Sequence, residues 1–199
     1  MRKTVFILII LSFCLALQSC REPIAEVPNQ IVDDEYKVYS DALSQLVRLP
    51  EGKDTLVIRE MTTLRPAEFD ERRKSYLKKQ FGEKISDDLI KQFGAVNAKP
   101  RTLQNKFINS LSIVLISKAE EDKIFHPIDE GWKRFYLKYP KSTGTIELSR
   151  VAFDARKTKA LLYYGTSFDY GKGGIGYYLL LKRINDRWTI EKKIKCWIA

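Results

Sequence analysis

His126 is the one histidine of the chain, and it limits the nucleophilic chemistry that the sequence can support. A serine or cysteine nucleophile activated by histidine would have to use it. It stands between Phe125 and Pro127, and Asp129 and Glu130 follow closely. One histidine without a cysteine pair cannot build a multi-histidine or cysteine-rich zinc site. We expect a loop histidine, with a weak proton-transfer or metal role left open, and we assign no catalytic residue, metal or cofactor.

A glycine-rich segment, residues 171–176, contains the lysine Lys172. Its spacing does not fit a phosphate-binding P-loop, because Gly173 stands where a serine or threonine would bind magnesium. The segment therefore predicts a flexible hairpin loop. Tyrosines surround it and offer both a ring and a hydroxyl to a ligand; they are Tyr163, Tyr164, Tyr170, Tyr177 and Tyr178. We keep Tyr170, Lys172 and His126 as candidate ligand-binding residues.

Arg150 is the unexpected residue of an otherwise apolar strand pattern. It shares its parity with Ile146 and Leu148, so in a regular strand its side chain would point into the core. A buried arginine needs a carboxylate or carbonyl partner. Three interpretations stay open: a structural ion pair, an anion-binding arginine, and a β-bulge that turns the side chain to solvent. Arg150 is therefore the fourth candidate ligand-binding residue.

Cys196 lies in the last strand-like run, on the same parity as Trp188, Ile190 and Ile194. Alternate residues of a strand face opposite sides, so this pattern predicts that Cys196 faces the core as a small hydrophobe. Aliphatic neighbours would raise the pKa of its thiol and make it unreactive. A reactive thiol is the rival interpretation.

The N-terminus has the three zones of a secretory signal peptide: Arg2 and Lys3, an apolar run over residues 5–17, and a small residue before a cleavage point. The apolar run is about 13 residues, or ~20 Å as a helix, whereas a hydrocarbon core is ~30 Å thick. The run is therefore predicted to be removed rather than to span a membrane.

The end of this run, Leu17-Gln18-Ser19-Cys20, resembles the lipobox of bacterial lipoproteins. The resemblance implies cleavage before Cys20, a diacylglycerol on its sulfur and a further acyl chain on its amine. Two or more chains make membrane binding stable. Arg21 replaces the aspartate of the enteric inner-membrane retention signal, which favours the outer membrane of a cell envelope. An ordinary signal peptide with an incidental cysteine is the alternative, and Gln18 departs mildly from the motif.

The charge of the chain is strongly positive, at +10 over 199 residues. Removal of residues 1–19 takes away Arg2 and Lys3 and leaves +8. A predicted helix gathers Arg72, Arg73 and Lys74 with Lys78 and Lys79. Such charge often indicates nucleic-acid binding, but export makes that partner unsuitable. Anionic lipids or glycans are within reach of a tethered domain, and a merely solvated face is the simpler interpretation.

Hydrophobic periodicity and turn residues divide the rest of the chain into a tether, residues 20–32, and one domain, residues 33–199. Helices are predicted over residues 33–47, 66–81, 86–93 and 131–139, with Ser86 as an N-cap. Strands are predicted over residues 55–61 and 111–117, the second one central and covered on both faces, with a turn at 120–123. Four further strands follow, over residues 145–153, 159–168, 175–184 and 187–197.

Short polar or glycine-containing connections join these four runs, which predicts an antiparallel meander. Helices first and strands later favour an α+β class over repeated βαβ units, with the N-terminal helices packed on a mainly antiparallel sheet. No internal repeat or second domain is evident.

Parts of the second half together resemble uncharacterised bacterial envelope proteins and lipoproteins that end in a similar meander. The resemblance rests on Gly131-Trp132, Tyr139-Pro140, residues 148–153, residues 176–181 and Trp188 with Trp197. It implies an exported domain and transfers no functional residue. We therefore expect a lipid-anchored, non-catalytic binding or assembly module, held on the bilayer through Cys20 and contacting an envelope protein or anionic polymer. An exported hydrolase using His126 or carboxylates in a cleft is the alternative.

Overall fold

The structure is a computed structural model that describes residues 29–63, 69–108, 110–168 and 173–199. The predicted signal peptide, Cys20, most of the predicted tether, Tyr170 and Lys172 lie outside the described residues. The described helices and strands are α1 (Asn29–Leu46), β1 (Thr55–Arg59), α2 (Glu71–Phe81), α3 (Asp87–Val96), β2 (Ser112–Ile116), α4 (Lys118–Phe125), α5 (Gly131–Lys138), β3 (Thr145–Leu148), β4 (Ala152–Phe153), β5 (Lys159–Phe168), β6 (Gly173–Ile184) and β7 (Arg187–Ile198).

These strands form one mixed sheet in the order β2-β1-β3-β5-β6-β7, with β4 also paired to β5. Strands β5, β6 and β7 are the antiparallel meander that the sequence predicts, and β3 and β4 run antiparallel to β5. The class is α+β. Strand β1, however, pairs in parallel with both β2 and β3, an arrangement that the order of helices and strands did not predict.

The expected central position of residues 111–117 is wrong, because β2 is an edge strand. It is apolar on both parities for another reason. Ile113 and Leu115 pack on the same core as α1, whereas Val114 and Ile116 pack with the aromatic residues of α5. Both faces of this edge are covered, so its sequence resembles that of a central strand.

Helices cover both faces of the sheet. Helix α1 lies on one face, which we call the α1 face, against Leu56, Ile58 and Leu162. Alternate residues of the same strands point to the opposite face, where α2 and α3 pack over Leu161 and where α5 packs over Val57. The alternation of a strand therefore distributes one sequence between two cores.

Extra residues interrupt the strand pairing at three points. Between the pairs Leu148–Tyr164 and Ala152–Leu161, the β3–β4 segment has one residue more than β5, so the predicted strand 145–153 bends at Ser149 and Arg150. Strand β7 has register shifts at residues 191 and 196 against β6. Consequently Trp188 packs on the α1 face and Ile194 on the opposite face, although the sequence gives them one parity.

Local capping residues set where several helices begin. Ser86 accepts a hydrogen bond from the Leu89 amide at 3.2 Å, as predicted for an N-cap, and α3 continues through Gly94 to Val96. Asp70 caps α2. The predicted turn at 120–123 is wrong, because the Ser117 hydroxyl caps α4 and its first turn carries acids that suit the positive helix end.

Replacing Ser86 with alanine should lower the free energy of unfolding by about 1 kcal/mol, because the cap is lost without creating a cavity. Chemical denaturation would measure it. Ser75→Ala, at an exposed position inside α2, is the matched control and should change stability by only a few tenths of a kcal/mol. Equal losses in the two variants would contradict the capping role.

Candidate functional site

His126 lies at the exposed end of α4. Its side chain is 77% exposed, and its Nε2 atom is 3.9 Å from the Asp122 carboxylate. Within the described part of the chain, no group of three or more histidine, cysteine, aspartate or glutamate side chains is arranged to hold a metal ion. This environment lacks the burial and the orienting hydrogen bond that usually prepare a histidine for catalysis.

The glycine-rich segment is largely strand rather than loop, because β6 already begins at Gly173. The hairpin between β5 and β6 is confirmed. Gly174 and Gly176 lie beneath the indole of Trp197, and a Cβ atom at either position would collide with that ring. The glycines therefore make room for an aromatic side chain that lies flat on the sheet.

Arg150 belongs to a buried charged cluster at the bend between β3 and β4. Its Nη2 atom lies 3.5 Å from Oε1 of Glu35, a residue of α1 that is only 1% exposed. Arg101 contacts the other carboxylate oxygen, Oε2. A bulge is present, but it does not send Arg150 to solvent, since the side chain is 15% exposed. We call Glu35, Arg101 and Arg150 the buried arginine cluster.

Hydrogen bonds from the surrounding backbone and side chains hold this cluster in place. The Arg150 amide donates to Asn97 Oδ1 at 2.8 Å, and Asn97 Nδ2 donates to the Arg150 carbonyl at 3.1 Å. Arg150 Nη1 donates to the Val96 carbonyl at 3.2 Å. The Tyr39 hydroxyl donates to the Ser149 carbonyl at 2.9 Å. Helices α1 and α3 are thereby tied to the bend.

Burial dominates the electrostatics of the cluster. It raises the pKa of the Glu35 carboxyl even though Arg101 and Arg150 act to lower it. Burial also raises the pKa of the Tyr39 hydroxyl well above its ordinary value, and the charge of Glu35 adds to this effect. Two guanidinium groups share one carboxylate, so the cluster carries at least one net positive charge.

A second polar network crosses the face opposite α1. The Arg59 guanidinium bridges two carboxylates, with its Nη2 atom 2.7 Å from Glu121 and its Nη1 atom 2.7 Å from Glu147. The Tyr163 hydroxyl donates to Glu147, and Trp197 Nε1 donates to the Tyr163 oxygen at 2.8 Å. We call these five residues the Arg59 network.

The Arg59 network is suited to holding strands and helices together. It connects α4, β1, β3, β5 and β7 through consecutive hydrogen bonds. Burial and the neighbouring Glu147 carboxylate raise the pKa of the Tyr163 hydroxyl far above its ordinary value, so it stays a neutral donor. One arginine contacts both carboxylates, so Glu121 and Glu147 serve as hydrogen-bond acceptors within the network.

Cys196 is half-buried beside the core under α2 and α3. Burial raises the pKa of its thiol to about 11, which agrees with the sequence prediction of an unreactive cysteine. Its position differs from the prediction, since Cys196 occupies a register shift of β7 rather than a regular inward site.

Folding places two strongly basic elements, α2 and β7, side by side. Helix α2 carries five basic side chains and one acid, and β7 carries four basic side chains and one acid. They therefore supply a net charge of +7 out of the +10 of the chain. The Tyr76 hydroxyl donates to the Lys195 carbonyl at 3.4 Å, and Lys192 Nζ donates to the Gln80 carbonyl, which joins the two elements.

We call the cations of α2 and β7 the basic edge. Lys192 reaches α2, whereas Lys193 and Lys195 lie on the α1 face of β7, where Lys193 Nζ is 5.1 Å from the centre of the Tyr177 ring. Some of its cations are paired: Arg72 with Asp70, Lys74 with Glu71, and Lys78 with Asp87. In the described ranges no acid forms a salt bridge with the others, which are Arg73, Lys79, Arg187, Lys192, Lys193 and Lys195. A β-sheet edge lined by such cations can receive an anionic surface.

Sequence patterns indicated some of these residues and missed others. The parity of Arg150 correctly indicated a buried arginine with a partner. Nothing in the local sequence pointed to Glu35 or Arg101 as that partner, because both lie far from Arg150 in the chain. The helix in the basic edge was predicted, but its contact with the lysines of β7 depends on the topology of the sheet.

No family model, no curated protein and no solved structure matches this chain. Among the described residues, no helix is long and apolar enough to cross a membrane.

Replacing Tyr163 with phenylalanine should lower the free energy of unfolding by about 1–3 kcal/mol, because Glu147 and the Trp197 indole each lose a hydrogen-bond partner. Urea denaturation would measure the change. The control is Tyr76→Phe, which removes an exposed hydroxyl with a 3.4 Å contact and should cost much less. A Tyr163→Phe protein as stable as the control would show that the network does not stabilise the fold.

Proposed function

We propose that this chain is a lipid-anchored protein of the bacterial cell envelope, and that its folded domain is a non-catalytic module that binds an anionic envelope polymer through the basic edge. The observation that supports the binding role is the concentration of charge. Helix α2 and strand β7 together contribute +7 of the +8 that the chain would have after removal of residues 1–19.

The exposure of this charge also supports the proposal. Lys79, Lys193 and Lys195 are solvent-exposed, and no acid of the described residues forms a salt bridge with them. An anionic polymer with repeated phosphate or carboxylate groups could contact several of these cations together, and each contact would release counterions. Long lysine side chains tolerate variation in the spacing of such groups.

The proposed anchor places the domain close to the membrane. Eight residues separate Cys20 from the start of α1 at Asn29. Fully extended, such a segment spans at most ~30 Å at ~3.3–3.6 Å per residue. A domain held at this distance would contact polymers that lie next to the bilayer, whichever leaflet carries the anchor.

The alternative of an exported hydrolase has less support. His126 is largely exposed. Arg59 binds the carboxylates of Glu121 and Glu147, and the buried carboxylate of Glu35 is bound by two arginines of its own cluster. A hydrolase would need one of these groups to be free to give or accept a proton.

Replacing Cys20 with serine should remove the acyl chains and the anchor. We expect the wild-type chain in the membrane fraction of its cells, with an intact mass that includes lipid. The Cys20→Ser chain should lack that added mass and leave the membrane fraction. The matched control is Cys196→Ser, which should keep both the lipid mass and the membrane location. Equal membrane association of the two variants would contradict lipidation at Cys20.

Replacing Lys79, Lys193 and Lys195 together with glutamine should weaken binding to an anionic polymer. Dextran sulfate is the probe and neutral dextran its blank, measured by titration calorimetry on the full-length protein in detergent. At ~1 kcal/mol for each cation beside an anionic surface, three substitutions should weaken binding by roughly a hundredfold at low salt.

The matched control changes the same number of exposed lysines elsewhere, namely Lys91, Lys99 and Lys123. It has the same net charge and should bind dextran sulfate nearly as well as the wild type. Equal weakening in both triple variants would show that net charge, rather than the basic edge, controls binding. Binding to vesicles of anionic phospholipid but not to dextran sulfate would contradict a polymer partner.

A further inference from the structure

The buried arginine cluster has an unbalanced charge. Arg101 and Arg150 both contact the single carboxylate of Glu35, and that carboxylate is 1% exposed. If Glu35 is ionised the cluster has a charge of +1, and if it is protonated the charge is +2. Uncompensated charge in a protein interior is costly, so such clusters are usually neutralised by a partner.

The cluster also has unused hydrogen-bond donors. Arg101 Nη1 and Arg150 Nε are buried and have no hydrogen-bond partner. Buried N–H groups are nearly always paired in proteins, and each unpaired group costs free energy. The two donors belong to the two guanidinium groups that contact the Glu35 carboxylate.

The guanidinium of Arg150 is fixed before any ligand arrives. The buried Asn97 side chain hydrogen-bonds to both the backbone amide and the backbone carbonyl of Arg150. The Val96 carbonyl accepts a hydrogen bond from Arg150 Nη1. A preorganised donor loses little entropy on binding. Solvent reaches other atoms of the two side chains, since Arg101 and Arg150 are 19% and 15% exposed, whereas the two unpaired donor atoms lie beneath the surface.

We propose that the buried arginine cluster is a binding site for a small oxyanion, with Arg101 Nη1 and Arg150 Nε as the donors. Guanidinium groups match the geometry of carboxylate and phosphate oxygens, and charge-assisted hydrogen bonds to these groups are the strong ones. The site is separate from the basic edge. It would bind a single phosphate or carboxylate group, whereas the basic edge would bind an extended surface.

The test is to titrate the full-length protein in detergent with inorganic phosphate at constant ionic strength and to measure the binding by calorimetry. Acetate in a parallel titration distinguishes a carboxylate ligand from a phosphate ligand, and chloride is the blank. We expect saturable binding of one of the two oxyanions and none of chloride. Arg101→Gln should weaken this binding by roughly tenfold or more, since one charged donor is lost.

Glu35→Gln should change the oxyanion affinity in the opposite direction to Arg101→Gln. It removes the competing negative charge but keeps a side chain of the same shape, so it should tighten oxyanion binding by roughly tenfold. A purely structural cluster would instead show a loss of stability in Glu35→Gln without any gain in oxyanion binding. Far-UV circular dichroism checks that each variant is folded.

Arg101→Lys serves if a glutamine variant fails to fold, because it keeps the positive charge and loses the second donor of the guanidinium. It should bind the oxyanion more weakly than the wild type. The triple variant Lys91→Gln, Lys99→Gln and Lys123→Gln changes exposed cations outside both the cluster and the basic edge, and it should keep wild-type affinity. Wild-type affinity in Arg101→Lys, or equal binding of chloride, would overturn the proposal.

Discussion

Strand β5 is paired along both of its edges and packed on both of its faces, and the rest of the domain depends on this constraint. It pairs with β3 and β4 along one edge and with β6 along the other. Its residues alternate between two cores, with Leu162 on the α1 face and Leu161 under α2 and α3. A strand buried on both faces has no freedom to shift its register, because a slip of one residue would exchange the two cores.

The bend opposite β5 follows from this fixed register. Because the β3–β4 segment has one extra residue, the mismatch is taken up at Ser149 and Arg150 rather than in β5. The Ser149 hydroxyl accepts a hydrogen bond from the Tyr163 amide at 2.8 Å, in place of a regular ladder partner. The displaced backbone then carries Arg150 to Glu35 of α1. A defect in strand pairing and a buried charge cluster are therefore one feature of the fold.

Local signals in the sequence predicted the parts of the fold that depend on neighbours along the chain. The cap at Ser86 and the antiparallel hairpins of the meander are such parts, since a few consecutive residues determine them. The parallel pairing of β1 with β2 and β3 could not be predicted in this way, because it joins segments separated by helices. The register shifts in β7 also depend on the partner strand, which explains why the parity of Cys196 gave only part of its position.

The candidate sites also differ in whether local sequence or distant contacts determine them. Arg150 was recognised because its own strand pattern made it exceptional, whereas Glu35 and Arg101 are ordinary residues of a helix and a connecting segment. The Arg59 network likewise joins five separate elements, and only the completed sheet brings Trp197 to Tyr163. The topology determines which distant charges pair, and composition and periodicity do not specify the topology.

Strand β7 is a twelve-residue outer strand, and such strands expose backbone donors and acceptors that can pair with another molecule. In this chain, two register shifts interrupt the strand and lysines project from both of its faces. The proposed lipid anchor would confine copies of the chain to the plane of a membrane, where they would meet one another. The lysines would then make two such edges repel each other while leaving the same edge attractive to anions. Solubility at high surface density and choice of partner would thus be set by the same side chains.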